Sequence, residues 1–580
     1  MIPNFIRVLR LFALAFMLPC SVRAGQPSLA ASVPDGAIGF VEFSNLGEIV
    51  RTVRDSKALK WVLATDEFRK FEESADYRKI KAVRATAELV LGSSLWDVAS
   101  ELLGGRIAVA LYPDPDNYRK PHVAAILHLD PSKTLDRVRE ALKTFLPAAG
   151  KEVDTSAACP GSATWSVKDQ GFVSMHDSWL VATQQRGVLD RILGLLDGAK
   201  EKTALAALDS FADMERDLGG EHHGRAWVNI AQIKKGLGDR FGLPEKSTDG
   251  MASLIFGGLL ELAERSPFAA ATLDFRKNDV EGVLAIAGDP AKLPEPAGLW
   301  YTQHPDNGVI NLPKTPGTIA GITIHRKVGQ WYRQRDKLLA DHLLPAFDKF
   351  ETDIGNLLPQ KDFGQDVLPL IGDNFTFVSA LQTYGHLDGE PGIKLPAFAG
   401  IFDLPKPKEG ADMFQLFFQT LGAILNLQAG QEGRQPSVMD SEFYHDTKIS
   451  FSRFLDKPKG ERLAIAYNFQ PAAAAIGRKY IVATSVQLCR DLVDYFKNPD
   501  ASQWQNRNSE MVIDFTGLAK LAELNEGFLR SQDIQKGTAP DAAEKRVGLL
   551  INVLKQLDSL RYHSTAEGGF FKMNLKANWK

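Results

Sequence analysis

The residues of this chain whose types suit chemistry are few and scattered. His222-His223 is the one histidine doublet. Adjacent residues on a strand or helix point different ways, so a doublet rarely chelates through both rings. Its setting, Gly-Gly-Glu-His-His-Gly-Arg, reads as a solvated loop before a strand. His445-Asp446 reads the same way. His128 lies in the apolar strand HVAAILHL and reads as a core or sheet-edge histidine. His325-Arg326 follows a strand and reads as the cap region of a solvated helix carrying Gln330, Arg333 and Arg335. No HExxH and no CxxC occurs, so no familiar metal spacing is present.

Other reactive groups fare no better. There is no GxxxxGK[ST], no strand-to-helix GxGxxG, no GxSxG and no Ser-x-x-Lys. Gly92-Ser93-Ser94 and Gly257-Gly258 are isolated and read as helix-end or packing positions. Glu42, inside the apolar strand Ala37–Phe43, is the one acid worth following, because an acid there is either on a solvent face or functional. Alternation puts it beside Phe40 and Ile38, and a surface or edge position is the expectation. Catalytic residues therefore stay unassigned, and no cofactor or metal is expected.

Elements must position whatever function there is, and the first sets the compartment. Arg7 and Arg10 precede the apolar run Leu11–Leu18; Pro19 breaks it, and Val22-Arg23-Ala24 supplies the small residues a signal peptidase reads. Residues 1–24 are expected to be a cleaved signal peptide, which makes the protein periplasmic or secreted. A membrane anchor would need about 20 apolar residues. A lipoprotein would use Cys20, before which Pro19 is a poor residue. Cleavage leaves Cys159 and Cys489, which two widely spaced positions do not prove to be paired. The net charge of −3 gives no field to attract nucleic acid or an anionic membrane. No later run is long enough to span a bilayer, so no integral membrane segment is expected in the mature chain.

Beyond the signal, strand patterns cluster as hairpins joined by helices. That argues for an α+β fold with mostly antiparallel sheet. Strands are expected at 37–43, 106–112, 122–129, 163–168, 171–175, 179–183 and 225–230, with a hairpin at 269–287. Helices are expected from Asn45 to Leu103, with Trp61, Phe68, Phe71, Leu91 and Trp96 in the core, over Leu135, Val138, Leu142 and Phe145, and over Arg186–Leu196. HVAAILHL and AFAGIFDL (397–404) are apolar on both faces, so they should be central strands with helices on at least one side.

The pattern then starts again. Thr318–Ile324 answers Ala37–Phe43, Phe375–Leu381 answers Ile107–Leu111, and Pro396–Pro405 answers Pro121–Asp130. Tyr480–Thr484 answers Trp179–Thr183, Met511–Phe515 answers Trp227–Ala231, and 562–575 answers the hairpin. The offsets are 281, 268, 275, 301 and 285, drifting as loop insertions would make them drift, with a polar insertion at about 426–443. Two related tandem domains, 25–290 and 316–580, are expected around a Pro-rich linker at 291–315.

Val33–Phe43, the helix start Asn45-Leu46, Leu102–Leu111 and the strand-to-helix step at 123–142 resemble a family of exported bacterial proteins grouped as a domain of unknown function, the 3352 class of planctomycete-type bacteria. The resemblance covers most of the first half, and its echo most of the second. The second half departs in having Gly372-Asp373-Asn374 where the first has Gly104-Gly105-Arg106. The resemblance brings no activity, cofactor or site residue. The expectation is an exported, non-catalytic binding or cell-envelope component with an unknown envelope or extracellular partner. The alternatives are an envelope hydrolase with a site between the halves, or a carrier of hydrophobic ligands.

Overall fold

The computed structural model describes residues 28–580 apart from 119, 156, 168–169, 199–202, 239–240, 242–245, 294–296, 303–307, 359, 434–436, 455–461, 499–504 and most of 56–91 and 130–149. The expected signal segment 1–24 and the expected core positions Trp61, Phe71, Leu91, Leu135, Val138, Leu142 and Phe145 lie outside the described residues. The fold is α+β with antiparallel sheet. It divides into two compact units: Met1–Gly242 with Ser266–Ala287, and Leu243–Arg265 with Gly288–Lys580.

Unit 1 contains β1 (Gly39–Ser44), β2 (Arg106–Tyr112), β3 (His122–His128), β4 (Gly150–Glu152), β5 (Ala163–Val167), β6 (Gly171–His176), β7 (Trp179–Thr183), β8 (Gly224–Val228), β9 (Ala269–Phe275) and β10 (Asp279–Ala287). Its helices include α1 (Leu46–Asp55), α2 (Leu95–Leu102), α3 (Arg186–Leu196), α4 (Asp209–Leu218) and α5 (Ile230–Leu237). Every pairing is antiparallel, in the order β4-β5-β6-β7-β3-β2-β1-β8-β9-β10.

Unit 2 begins with α6 (Gly250–Arg265). It continues with β11 (Thr318–His325), α7 (Leu344–Leu357), β12 (Asn374–Ala380), β13 (Ala397–Asp403), α8 (Pro407–Gln431), β14 (Ser437–Tyr444) and β15 (Thr447–Phe454). Then come β16 (Ala472–Ile476), β17 (Lys479–Ala483), α9 (Val486–Lys497), β18 (Ser509–Asp514), α10 (Phe515–Leu524), α11 (Glu526–Gln535), α12 (Pro540–Gln556), β19 (Leu557–Glu567) and β20 (Phe570–Trp579). The order is β14-β15-β16-β17-β13-β12-β11-β18-β19-β20, again all antiparallel. Each strand stands where the strand numbered ten lower stands in unit 1.

The register matches as well. Val41 faces Val109, and Ile322 faces Phe377, at offsets of 281 and 268. Ala125 and Gly400 occupy one position at offset 275, and Ala226 and Met511 another at 285. The β6–β7 hairpin departs from its expected offset. Ala182 faces Ala125 and Val482 faces Gly400, so the offset is 300 and Lys479 stands where Trp179 does. Both segments are apolar, so composition alone left the alignment free to slip by one residue, and a one-residue slip exchanges the faces of a strand. The buried residues Val188, Leu189, Ile192 and Leu193 of α3 correspond to the buried Leu488, Cys489, Leu492 and Val493 of α9 at that same offset.

Alternation then builds the core. In unit 2 one sheet face carries Val378, Ala399, Ile401, Ala472, Ala474, Ile481 and Ala483, all buried under α9. Small alanines on the strands leave room for the larger helix side chains to interdigitate. The opposite face is covered only in part, by a second cluster in which Phe414 of α8 meets Leu404, Tyr480 and Leu370.

Three expectations are corrected. Trp96 is 37% exposed rather than core. The expected insertion at 426–443 is the last turns of α8 followed by β14, an edge strand whose half-exposed, polar sequence hid its alternation. The described residues of the proline-rich stretch 291–315 are packed in unit 2, with Leu299, Trp300, Tyr301, Val309 and Ile310 buried. Proline stops regular elements without stopping burial. Trp300 also explains why α6 belongs to unit 2. Its indole donates to the carbonyl oxygens of Ser253 (3.0 Å) and Leu254 (2.8 Å), and its ring lies against Gly257 and Gly258.

Candidate functional site

Each residue singled out for chemistry has a structural partner. Glu42 is buried, not on a surface. It pairs with Arg106 of the neighbouring strand and accepts from Ser28 Oγ (2.7 Å) and the Leu29 amide (3.2 Å). A buried carboxylate needs such partners. Here it fixes the first described residues to the sheet.

The histidine doublet is also not a solvated loop. His222 Nδ1 lies 2.8 Å from Asp274 Oδ2, and Nε2 lies 2.8 Å from the Leu218 carbonyl. Both partners only accept, so both nitrogens donate and the ring is an imidazolium. The Asp274 hydrogen bond raises its pKa against the effect of burial. His223 is buried, and its Nδ1 accepts from the Phe275 amide at 3.2 Å.

His325-Arg326 caps no solvated helix. His325 closes β11, buried, with Nδ1 3.2 Å from Asn374 Oδ1; burial pushes its pKa down to about 4. Arg326 is held by carbonyl oxygens, among them Leu254 (3.1 Å), Ile255 (2.8 Å) and His325 (2.6 Å). It thereby docks α6.

The remaining positions serve the fold. His445-Asp446 has positive φ at both residues and forms the two-residue turn of the β14–β15 hairpin. His128 lies in β3 with its ring 4.3 Å from that of Trp179. Ser94 caps α2 through the Asp97 amide at 3.1 Å. Cys159 and Cys489 are both free and buried, and burial pushes the Cys489 thiol up to about 12. Among the described residues no group of three or more His, Cys, Asp or Glu is placed to hold a metal.

What residue-by-residue reading missed is a surface. The partly covered face of the unit 2 sheet carries a row of directly opposed residues: Ala473, Val482, Gly400, Phe377, Ile322, Met511, Tyr562 and Leu575. Each neighbouring pair sits about 5 Å apart across the strands. A cavity of about 280 Å³ opens in this face between Ile322 and Ile324 of β11, Phe375 and Phe377 of β12, Gly400 and Phe402 of β13, and Val482 of β17. Thr376 contributes backbone only, since its hydroxyl donates to Thr323 on the other face at 2.9 Å.

Gly400 is the floor. A Cβ added there would meet nothing within 4 Å, which is open space in the middle of a central strand. Phe377 (46% exposed) and Val482 (41% exposed) are its cross-strand walls. The Phe377 ring stacks on Phe398 at 5.8 Å, and Phe402 is held from the far side by Phe414 of α8 at 4.8 Å. No charged group lines the cavity. It can therefore desolvate an apolar ligand, and it offers nothing to attack or polarise one. In unit 1, Ala125 stands at the Gly400 position and Val109 at Phe377, so neither the floor nor that wall is repeated. The signal in the sequence was the glycine at the centre of AFAGIFDL, since a strand glycine often marks a close approach.

No family model matches the chain. No curated protein matches it either. Among solved structures, crystal form I of TP0453 is 12% identical, with a TM-score of 0.24, covering 48% of this chain and 84% of that one. Crystal form IV of the same protein is 10% identical, with a TM-score of 0.23, covering 46% and 81%. Among the described residues no helix is long and apolar enough to cross a membrane.

Proposed function

We propose that this chain is an exported, non-catalytic binding protein, built by duplication of a ten-stranded unit, and that the open apolar face of its second sheet is the binding surface. The observation that carries the reading is the uncharged cavity over Gly400, walled by side chains left in solvent. Exposing Phe377 and Val482 costs roughly 25 cal/mol for each Å² of apolar surface, which a bound apolar ligand recovers. Duplication is supported by the shared strand order and by four offsets that recur in the register. Export rests on residues 1–24, and delivery outside the cytoplasm implies a mature chain starting at Gly25. Recovery of the protein only from the cytoplasm with those residues intact contradicts export.

The binding surface is tested with Nile red, whose emission shifts to the blue in apolar surroundings. The full chain is expected to bind it. Phe377→Lys with Val482→Lys, two exposed positions, is expected to weaken binding at least fivefold while leaving the melting temperature within a few degrees. Equal binding by this variant contradicts the proposed surface.

A further inference from the structure

We propose that the end of β11 is an acid-operated latch for α6: the neutral ring of His325 and the carbonyl-bound guanidinium of Arg326 keep the helix docked in unit 2, and a proton on His325 releases it. The latch does not depend on what binds the open sheet face.

The helix is held mainly through its backbone. Of its 16 residues only Ser253, Gly258 and Leu262 are buried, so Leu262 is the one large apolar side chain that it buries fully. Met251, Ile255, Phe256 and Leu260 stay exposed. The missing side chains of Gly257 and Gly258 let the Trp300 ring approach. The carbonyls of Ser253 and Leu254 then accept from the Trp300 indole, that of Gly258 from the Tyr301 hydroxyl at 2.5 Å, and those of Leu254 and Ile255 from Arg326. Trp331 adds a bond to Ser253 Oγ at 3.2 Å. Arg326 also donates to the carbonyls of Trp300 and His325, and among the described residues no carboxylate pairs with it. A guanidinium held by neutral dipoles alone tolerates a second nearby cation poorly.

The partners of His325 keep it from being that cation. Asn374 donates from Nδ2 to Asp403 Oδ2 at 3.2 Å, which leaves its Oδ1 facing His325 Nδ1. An amide oxygen only accepts, so the ring proton is on Nδ1 and Nε2 carries a lone pair. Nε2 is buried without a hydrogen-bond partner, in a residue only 4% exposed. A second proton would place a charge and an N–H there with nothing to accept it.

The surrounding charges do not supply an acceptor. Arg326 and Lys327 follow on the same chain, and both favour the neutral ring, as burial does more strongly. Asp403 of β13 is taken by Lys479 of β17 and by Asn374 of β12. The Asp373 carboxyl, raised by burial, takes up a proton in the docked state more readily than in water. It therefore opposes release as pH falls, and release rests on His325. The hydroxyls of Tyr301 and of Tyr562 on β19 lie near Arg326. The backbone carries the disturbance to α6. The His325 amide donates to the Asn508 carbonyl at 3.0 Å, and the Asn508 side chain clasps the Trp300 carbonyl at 3.1 Å and the Thr302 amide at 3.0 Å. Moving His325 thus loosens both anchors of the helix, Arg326 and Trp300.

Hydrogen exchange of the full chain between pH 7 and pH 4.5, corrected for intrinsic rates, tests this. Protection of the α6 amides is expected to fall roughly tenfold or more, while those of β13 and β17, packed under α9, stay better protected. His325→Gln, which cannot take up the proton, should flatten that dependence. In the wild type the His325 ring, followed by NMR, should stay neutral over most of this range and titrate at or below its lower end, a check that needs no variant to fold. Loss of α6 protection in step with β13 and β17 overturns the latch, because it signals global unfolding. So does an unchanged fall in a folded His325→Gln variant, or a ring that titrates near its ordinary value while α6 stays protected.

Discussion

Three histidines show how little a residue's type says until its partners are known. His222 and His223 are neighbours in sequence, yet their rings play opposite parts, because Asp274 and the Leu218 carbonyl both require a donor while the Phe275 amide requires an acceptor. His325 is neutral because burial outweighs its bond to Asn374. These opposite shifts act on opposite sides of neutrality. His222 binds its proton more tightly when folded, so its contribution is full below the unfolded value of about 6.5 and is lost as pH rises through the raised folded value. His325 is depressed to about 4, so stability falls as pH drops from about 6.5 towards 4, by at most about 3 kcal/mol. Denaturant unfolding across pH is expected to show a smaller alkaline loss in His222→Gln and a smaller acid loss in His325→Leu. An acid limb identical in His325→Leu and wild type contradicts the assignment.

At the scale of elements, the strands were largely legible. The hairpin at 269–287, the helix Arg186–Leu196 and the strands 163–183 stand within a residue or two of where alternation and turn residues put them. What composition does not carry is register. The slip at Tyr480 arose because alternating apolar residues look alike when moved by one, while the pairing of Val482 with Gly400 places them unambiguously. Nor does composition carry attachment: nothing in residues 250–265 announces that they belong with Trp300. That attachment depends on two missing side chains. A Cβ on Gly258 would lie 2.5 Å from the Trp300 Cβ, and one on Gly257 would lie 2.6 Å from Cζ2 of its ring. Gly258→Val is expected to destabilise unit 2 by about 3 kcal/mol, as overpacking does, whereas Gly194→Val, where a Cβ meets nothing within 4 Å, should cost far less. Similar unfolding midpoints for the two variants would contradict this view of α6.

For the whole molecule, the same order of ten antiparallel strands occurs in both units, and the differences between the units bear on function. Unit 1 has a buried Glu42–Arg106 pair where unit 2 has Thr323 and Asn374. Unit 2 has Gly400, Phe377 and Val482 where unit 1 has Ala125, Val109 and Ala182. The strands of both halves could be read from the sequence, but not the open face, because an apolar strand looks alike whether helices cover it or leave it bare. The central claim is that the uncovered part of this face of unit 2 binds an apolar ligand. Methyl-resolved NMR of the full chain during titration with Nile red tests it most directly. Saturable shifts are expected at Ile322, Ile324 and Val482, with Val41 and Val109 unmoved. Shifts at Val41 and Val109, or none at Val482 while ligand binds, would contradict it.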